Sequence, residues 1–376
     1  MSVAHFVIDA SELQKVLHVV SPVSGKSFGD ILSSVLFIVD NDGVTVKVTN
    51  GDIFTKVNFS CDIIAAGSFV APSALLFNII KECKNVKIEF RVINENDNDI
   101  LFITAGNLKY RMNTLDINHH HYDIDISSTN PMQFSILAQD FKLIFDRILC
   151  CVDTKRINSN GVLFHSDNKS GKHTLYAVTT DRMRLAVYGY SITAEKALEN
   201  IILPKKACDY IKTLLSSYSS DVIIQVVGHI ASFKIGSTFI SVRLIDADFP
   251  RYQSVIPLSN DKILDVKTDL LIGSINKVSA ISTSAFAKIK MKVADNLLEI
   301  SCDDNGNVAT DSLEVTYSEE GAALELFCNA NMLVDILQNI NSQVVRFAFL
   351  DHKSQILIKP LQDNIDLRYV FMPIVG

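Results

Sequence analysis

A helix followed by a run of antiparallel strands recurs three times along this chain, and that recurrence limits the fold more than any other feature. The clearest copy is Leu203 to Tyr252. Its helix carries Lys205, Lys206 and Lys212 on one side and Cys208, Ile211, Leu214 and Leu215 on the other. Strand-like runs follow at Val222–Val227, Ala231–Ile235 and Phe239–Leu244, with turns at Gly228 and Gly236. Val70 to Leu115 repeats the order, with Leu76, Ile79 and Ile80 in the apolar helix places. Leu326 to Pro373 repeats it again, with Leu333, Ile336 and Leu337. Each copy closes on a strand bearing an arginine: Arg111, Arg243 or Arg368.

A length of 376 residues and a repeat spacing of about 120 to 135 predict three domains, 1–126, 131–257 and 258–376. Each holds two helix-plus-strands units. The remaining predicted helices carry buried stripes Leu13, Val16, Leu17 and Val20; Phe141, Ile144, Phe145 and Ile148; and Leu270, Leu271, Ile275 and Val278. Alternating strands beside one-faced helices give an α+β layering in which helices cover one side of antiparallel sheets. Polar linkers are read at Asp116–Asn130 and Pro250–Asp261.

Chemistry is conspicuously missing. The chain has no GxGxxG, Walker loop or HExxH. Seven cysteines without a CxxC pair speak against a disulfide framework and a zinc site. Cys150-Cys151, a vicinal pair inside an apolar helix, reads as two small hydrophobes in preference to a redox pair. His119-His-His121, with Asp116, Asp123 and Asp125 nearby, is a candidate metal cluster that reads more simply as solvated linker. The N-terminus lacks a signal peptide's cationic segment and apolar core, and no run reaches the length of a membrane span. A reduced cytoplasm, no cofactor, no metal and a binding role instead of catalysis are the expectations. The formal charge of −7 disfavours nucleic acid only as a whole-molecule figure; what matters is where the cations lie.

Three stretches carry a family resemblance. Asn160-Gly-Val-Leu-Phe164 with Leu175-x-Ala-Val-x-Thr-Asp-x-x-Arg-Leu-Ala-Val187, Val242-Arg-Leu-Ile-Asp-Ala-Asp-Phe-Pro-Arg-Tyr252, and Tyr369-Val-Phe-Met-Pro373 resemble the bacterial β sliding clamps. These are the processivity subunits of DNA polymerase III. The likeness spans the full length. It implies three domains of the DNA-clamp type in a head-to-tail homodimeric ring, with helices lining a hole for duplex DNA. It also implies three kinds of partner: the polymerase III catalytic subunit, a clamp loader, and other proteins with a clamp-binding motif.

A ring that slides must be held by phosphates and must not read bases. The cations expected to face DNA are Lys26, Lys81, Lys142, Arg147, Lys155, Arg156, Lys205, Lys206 and Lys212. Lys26 is placed there by the resemblance, as is the loop Asp153–Asn158. The resemblance further implies a peptide cleft. It draws Thr180, Arg182, Met183, Arg184 and Leu185 from the middle domain and Pro250 and Val255 from the linker. Phe286, Asn329 and Met332 come from the last domain, and Val370, Met372, Pro373 and Ile374 from the terminus. The implied subunit interface sets Leu75, Ile79 and Tyr110 against Ala280 and Ile281, with a sheet edge at Lys109–Met112. The chain departs from the family where Arg182-Met183 replaces Gly-His, where Ser159 replaces a common Leu, and in its Ile374-Val-Gly376 end. Two other readings compete: a scaffold of the same fold that does not encircle DNA, and a metal hydrolase built on His119 to His121.

Overall fold

The computed structural model describes residues 2–24, 31–96, 98–116, 131–169, 172–193, 197–284, 286–319, 323–361 and 365–374. Six α-helices lie among them: α1 (Ala10–Val20), α2 (Ser73–Glu82), α3 (Ala138–Ile148), α4 (Lys205–Leu215), α5 (Thr268–Ser279) and α6 (Ala330–Ile340). Each sits where the apolar spacing puts one, because a single stripe is buried: Leu13, Val16 and Leu17 in α1, and Leu333, Ile336 and Leu337 in α6, whereas Leu270, expected on the buried stripe of α5, is exposed. None of the described helices is long and apolar enough to cross a membrane. The chain divides into two compact units, residues 1–139 with 210–244, and residues 140–209 with 245–376.

The first unit holds two antiparallel sheets. One has five strands, in the order Asp62–Ala65, Ser2–Asp9, Lys87–Glu95, Asn98–Ala105 and Leu108–Asn113. The other has eight strands and runs across the repeats. Thr238–Arg243, from the second repeat, pairs with Ile53–Phe59, from the first, in the register Ser241 to Phe54. Four phenylalanines form the centre of this unit. Phe6 stacks on Phe90 and Phe37 on Phe69, each pair with ring centroids 4.8 Å apart. Gln14 of α1 donates to the carbonyls of Ile80 (3.0 Å), which also accepts the Cys83 N–H, and Cys83 (2.8 Å), tying α1 to the end of α2.

The second unit repeats the scheme. Its nine-stranded sheet joins Arg184–Ile192 to the terminal strand Asp366–Phe371, with Leu185 opposite Val370. Its four-stranded sheet runs Asn307–Glu314, Leu297–Asp304, Lys288–Ala294 and Leu324–Asn329. A hairpin turns at Asp295-Asn296, and both residues take the positive φ such a tight turn needs, +48° and +64°. Asn329 caps α6 by accepting the Met332 N–H at 3.2 Å. A core of Leu163, Val178, Leu185, Val187, Ile202, Tyr252 and Val370 backs the nine-stranded sheet.

Candidate functional site

The turn from Thr180 to Arg184 joins two strands of the large sheet and is held by its own side chains. Asp181 organises it. One carboxylate oxygen accepts the N–H groups of Met183 (3.0 Å) and Arg184 (2.7 Å), and the other accepts Nε of Arg184 at 3.0 Å. Thr180 Oγ1 donates to the Arg184 carbonyl at 2.7 Å and accepts the Arg182 N–H at 3.0 Å. Arg182 is held at φ +74°, in the left-handed region that suits glycine. This is the position where the resemblance expects Gly. Arg182→Gly should therefore raise stability by about 0.5–1 kcal/mol, since the relieved strain slightly exceeds the added freedom of the unfolded chain. Denaturant titration checks it, and a loss of stability would show that the arginine side chain compensates.

Arg184 ties the turn to its surroundings. It is 8% exposed, and its guanidinium donates to the Cys150 carbonyl (2.8 Å), the Met332 carbonyl (3.1 Å) and the Asp335 carboxylate (3.1 Å), besides Asp181. These bonds fasten the turn to the end of α3 and the start of α6. Above it opens a cavity of about 350 Å³. Thr180, Arg182, Met183, Arg184 and Leu185 line one wall. Pro250, Arg251, Tyr252 and Val255 line the second, and Val370 and Met372 the third. Leu185 and Val370 are core residues seen from outside, while Met183 and Val255 are exposed at the rim. The Met372 N–H donates to the Met183 carbonyl at 2.9 Å, which holds the third wall to the first. The site offers a small apolar hollow with cationic edges and no nucleophile or acid–base pair.

The structure thus brings nine of the fourteen proposed cleft residues to one cavity and leaves five outside it. Phe286 is exposed, Asn329 is buried as the helix cap, and Met332 presents its carbonyl to Arg184. Pro373 is buried. Ile374 lines a separate cavity of about 460 Å³ with Leu324, Phe327 and Lys353, and its N–H donates to the Phe327 carbonyl at 2.7 Å. Sequence reasoning left out Asp181, which makes the turn, and Tyr252, although both stand inside the motifs already quoted.

Tyr252 is fixed from behind. Its hydroxyl lies 2.7 Å from Nε2 of buried His165, whose ring stacks on Tyr176. Burial pushes the phenol up to about 12. Burial also holds the His165 pKa below its ordinary value, with the Asp167 carboxylate opposing. The unfolded chain therefore takes a proton that the folded state resists. The resulting stability is complete above the unfolded value, about 6.5, and is lost progressively as pH falls below it. His165→Gln should remove this part of the slope between wild type and variant. Parallel stability curves through that window would contradict it.

The cations are distributed unevenly. Lys81, Lys155 and Lys206 are exposed, and Lys212 is half-exposed. Lys142 pairs with Asp146 at 2.6 Å and Lys205 with Asp209 at 2.7 Å along their helices. Arg156 pairs with Asp153 at 3.0 Å. Burial opposes the charge on Asp153, but bonds from the Lys155 amide and the Arg156 guanidinium outweigh it and hold the carboxyl below its usual range. Arg147 corrects the expectation of a solvent-facing cation. It is 4% exposed, and its guanidinium donates to the Asn339 carbonyl at 2.7 Å. That carbonyl belongs to the last turn of α6, where bare acceptors and the helix dipole attract a cation.

Of the proposed interface residues, Leu75 is exposed and Tyr110 half-exposed in the first unit, while Ile79 is buried in the core and corrects the expectation for that position. Ala280 is exposed and Ile281 half-exposed in the second unit. The strand Leu108–Asn113 ends its sheet, and Leu108 on it is 49% exposed. The strand Asn307–Glu314 likewise ends its sheet, with Val308 64% exposed. Lys26 and His119 to His121 lie outside the described residues.

Comparison with known proteins agrees with this architecture. Models of the DNA polymerase III beta subunit match in order along the chain: the N-terminal domain at 4–123, the central domain at 135–251 and the C-terminal domain at 253–375. The chain is 27% identical to the beta sliding clamp of Caulobacter vibrioides over 379 residues, covering 98% of each. It is 27% identical to that of Pseudomonas aeruginosa over 382 residues, covering 98% of this chain and 99% of the relative. Among solved structures, a sliding clamp from Bartonella birtlesii bound to griselimycin matches with a TM-score of 0.91 at 26% identity, covering 99% of this chain and 100% of that one.

Proposed function

The chain belongs to the DNA polymerase III beta subunit family, and on that premise we propose that it is a replicative sliding clamp. Two copies close head to tail around duplex DNA and tether the polymerase and other peptide-motif proteins to it. The observation that carries this reading is the match of all three domain models, in order, from residue 4 to residue 375. We divide the working molecule into domains 1–126, 131–257 and 258–376, and place its action in the cytoplasm.

The mechanism is topological. A closed ring confines a tethered polymerase near its template, so rebinding becomes intramolecular at a high effective concentration. Contact with DNA need only be weak and indifferent to sequence. Lys81, Lys142, Lys155, Arg156, Lys205, Lys206 and Lys212 supply it by attracting phosphates, and the partial pairing of Lys142, Arg156 and Lys205 tempers their pull. No bond is made or broken, so the clamp needs neither catalytic residue nor cofactor.

The 350 Å³ cavity takes the apolar anchor of a partner peptide, a Leu or Phe side chain resting on Leu185 and Val370. Subunits join by edge continuation. The exposed strand Leu108–Asn113 of one copy, with Leu75 and Tyr110 beside it, meets the Asn307–Glu314 edge, Ala280 and Ile281 of the next. The test is loader-dependent retention on DNA. Nicked circular DNA should hold the protein through gel filtration, and cutting the circle once should release it. Equal retention on linear DNA with free ends would overturn encirclement.

A further inference from the structure

Among the described residues, two of the seven cysteine sulfurs meet. Cys150 and Cys151 occupy the 3-10 turn Leu149–Cys151 that ends α3, with their Sγ atoms 3.7 Å apart. Cys150 is half-buried and Cys151 fully buried. The carbonyl of the peptide unit joining them is the one that accepts Nη2 of Arg184 at 2.8 Å. Arg184 in turn fixes the turn that walls the cavity.

We propose that Cys150 and Cys151 form an oxidisable dithiol, which a hydroperoxide converts to a vicinal disulfide, releasing Arg184 and loosening the partner-peptide cleft. The Cys150 thiolate attacks the peroxide oxygen, breaking the O–O bond to give a sulfenic acid, and the leaving oxygen takes up the proton the thiol gave up and departs as water (or an alcohol, from an organic peroxide). The Cys151 thiol then attacks that sulfur, forming the S–S bond and expelling a second water. The peroxide is reduced by two electrons and the dithiol oxidised by two.

The roles follow from position. The half-buried Cys150 is the sulfur a small peroxide can reach, and Cys151 needs to reach only its neighbour. A hydrogen bond from the Cys151 thiol, aided by the nearby Arg184 guanidinium, lowers the Cys150 thiol against the effect of burial. Burial instead raises Cys61, Cys83, Cys208, Cys302 and Cys328. A covalent S–S bond is far shorter than the present contact. Between adjacent residues the ring it closes contains the intervening peptide unit, so that unit must rotate. Its carbonyl then turns away from Arg184.

The effect on peptide binding rests on the clamp reading, so the experiment separates the two. The full chain is reduced, or treated with hydrogen peroxide, and digested for mass spectrometry. Binding of a fluorescein-labelled peptide with a Leu-Phe anchor is read by anisotropy, and exchange of the Met183 and Arg184 amides by deuterium uptake. Peroxide should remove two hydrogens from the fragment holding Cys150-Cys151, speed exchange at both amides, and weaken the peptide by about tenfold, the worth of one bond to a charged group. A thiol reductant should reverse all three. Cys150→Ser, and Cys151→Ala as a second variant, should bind the peptide alike with and without peroxide. No disulfide at this fragment, or a disulfide with unchanged amide exchange, overturns the proposal. Failure of the reduced protein to bind any anchor peptide counts against the cleft, and the mass and exchange readouts still decide the dithiol.

Discussion

Arg184→Ala is expected to lose about 3 kcal/mol of stability in the second unit and to abolish most peptide binding at the cavity. The loss is large because alanine strands several groups together. Asp181 would keep a mostly buried charge without its guanidinium, and the carbonyls of Cys150 and Met332 would lose their donor. Arg184→Lys should recover only part of this, since a point charge cannot address Asp181, Asp335 and two carbonyls from one planar fork. The urea midpoint and peptide anisotropy report the two consequences separately. An alanine variant with wild-type stability and affinity would mean that the turn holds itself, through Asp181 and Thr180 alone.

Phe90→Ala should cost about 3–5 kcal/mol in the first unit, the usual toll of emptying a phenylalanine site in a packed core. Phe90 has no measurable exposure and lies within 4.8 to 6.5 Å of the rings of Phe6, Phe37 and Phe69. The three remaining rings sit on separate strands whose backbone bonds resist collapse into the void, so relaxation recovers little. Phe90→Leu, which keeps much of the volume, should cost less than half as much. A loss below about 1 kcal/mol for alanine would show that the sheets close over the gap.

Much of this architecture can be read in the residues, for reasons that also mark where reading stops. Helix positions follow from stripes such as Leu333, Ile336 and Leu337, because burial of one face leaves a period in the chain. The Asn41-Asp-Gly43 hairpin follows from turn chemistry, and Gly43 is the residue whose Cβ would strike the Phe59 carbonyl. The edge strand Asn307–Glu314 leaves almost no trace, since its side chains alternate between exposed and half-exposed and none is buried. Pairing of Thr238–Arg243 with Ile53–Phe59 depends on partners far apart in sequence. At the cleft the turn residues were accessible through the family motif. Tyr252 needed His165, 87 positions away, to show that it is held in place. Arg147 misled because a polar position at the end of an amphipathic helix looks solvent-facing, and only the fold reveals the carbonyl of Asn339 waiting there.

The continuation of sheets across repeats has a practical consequence for anyone who would take the molecule apart. A piece cut at the repeat boundaries, such as residues 131–257, would bear two raw strand margins, Thr238–Arg243 and Arg184–Ile192, each stripped of its neighbour. Such excised pieces should stick to one another, whereas pieces that respect the two compact units have no such torn borders. Gene fusions, circular permutants and split reporters made from this chain are better planned around sheets than around the periodicity of its code.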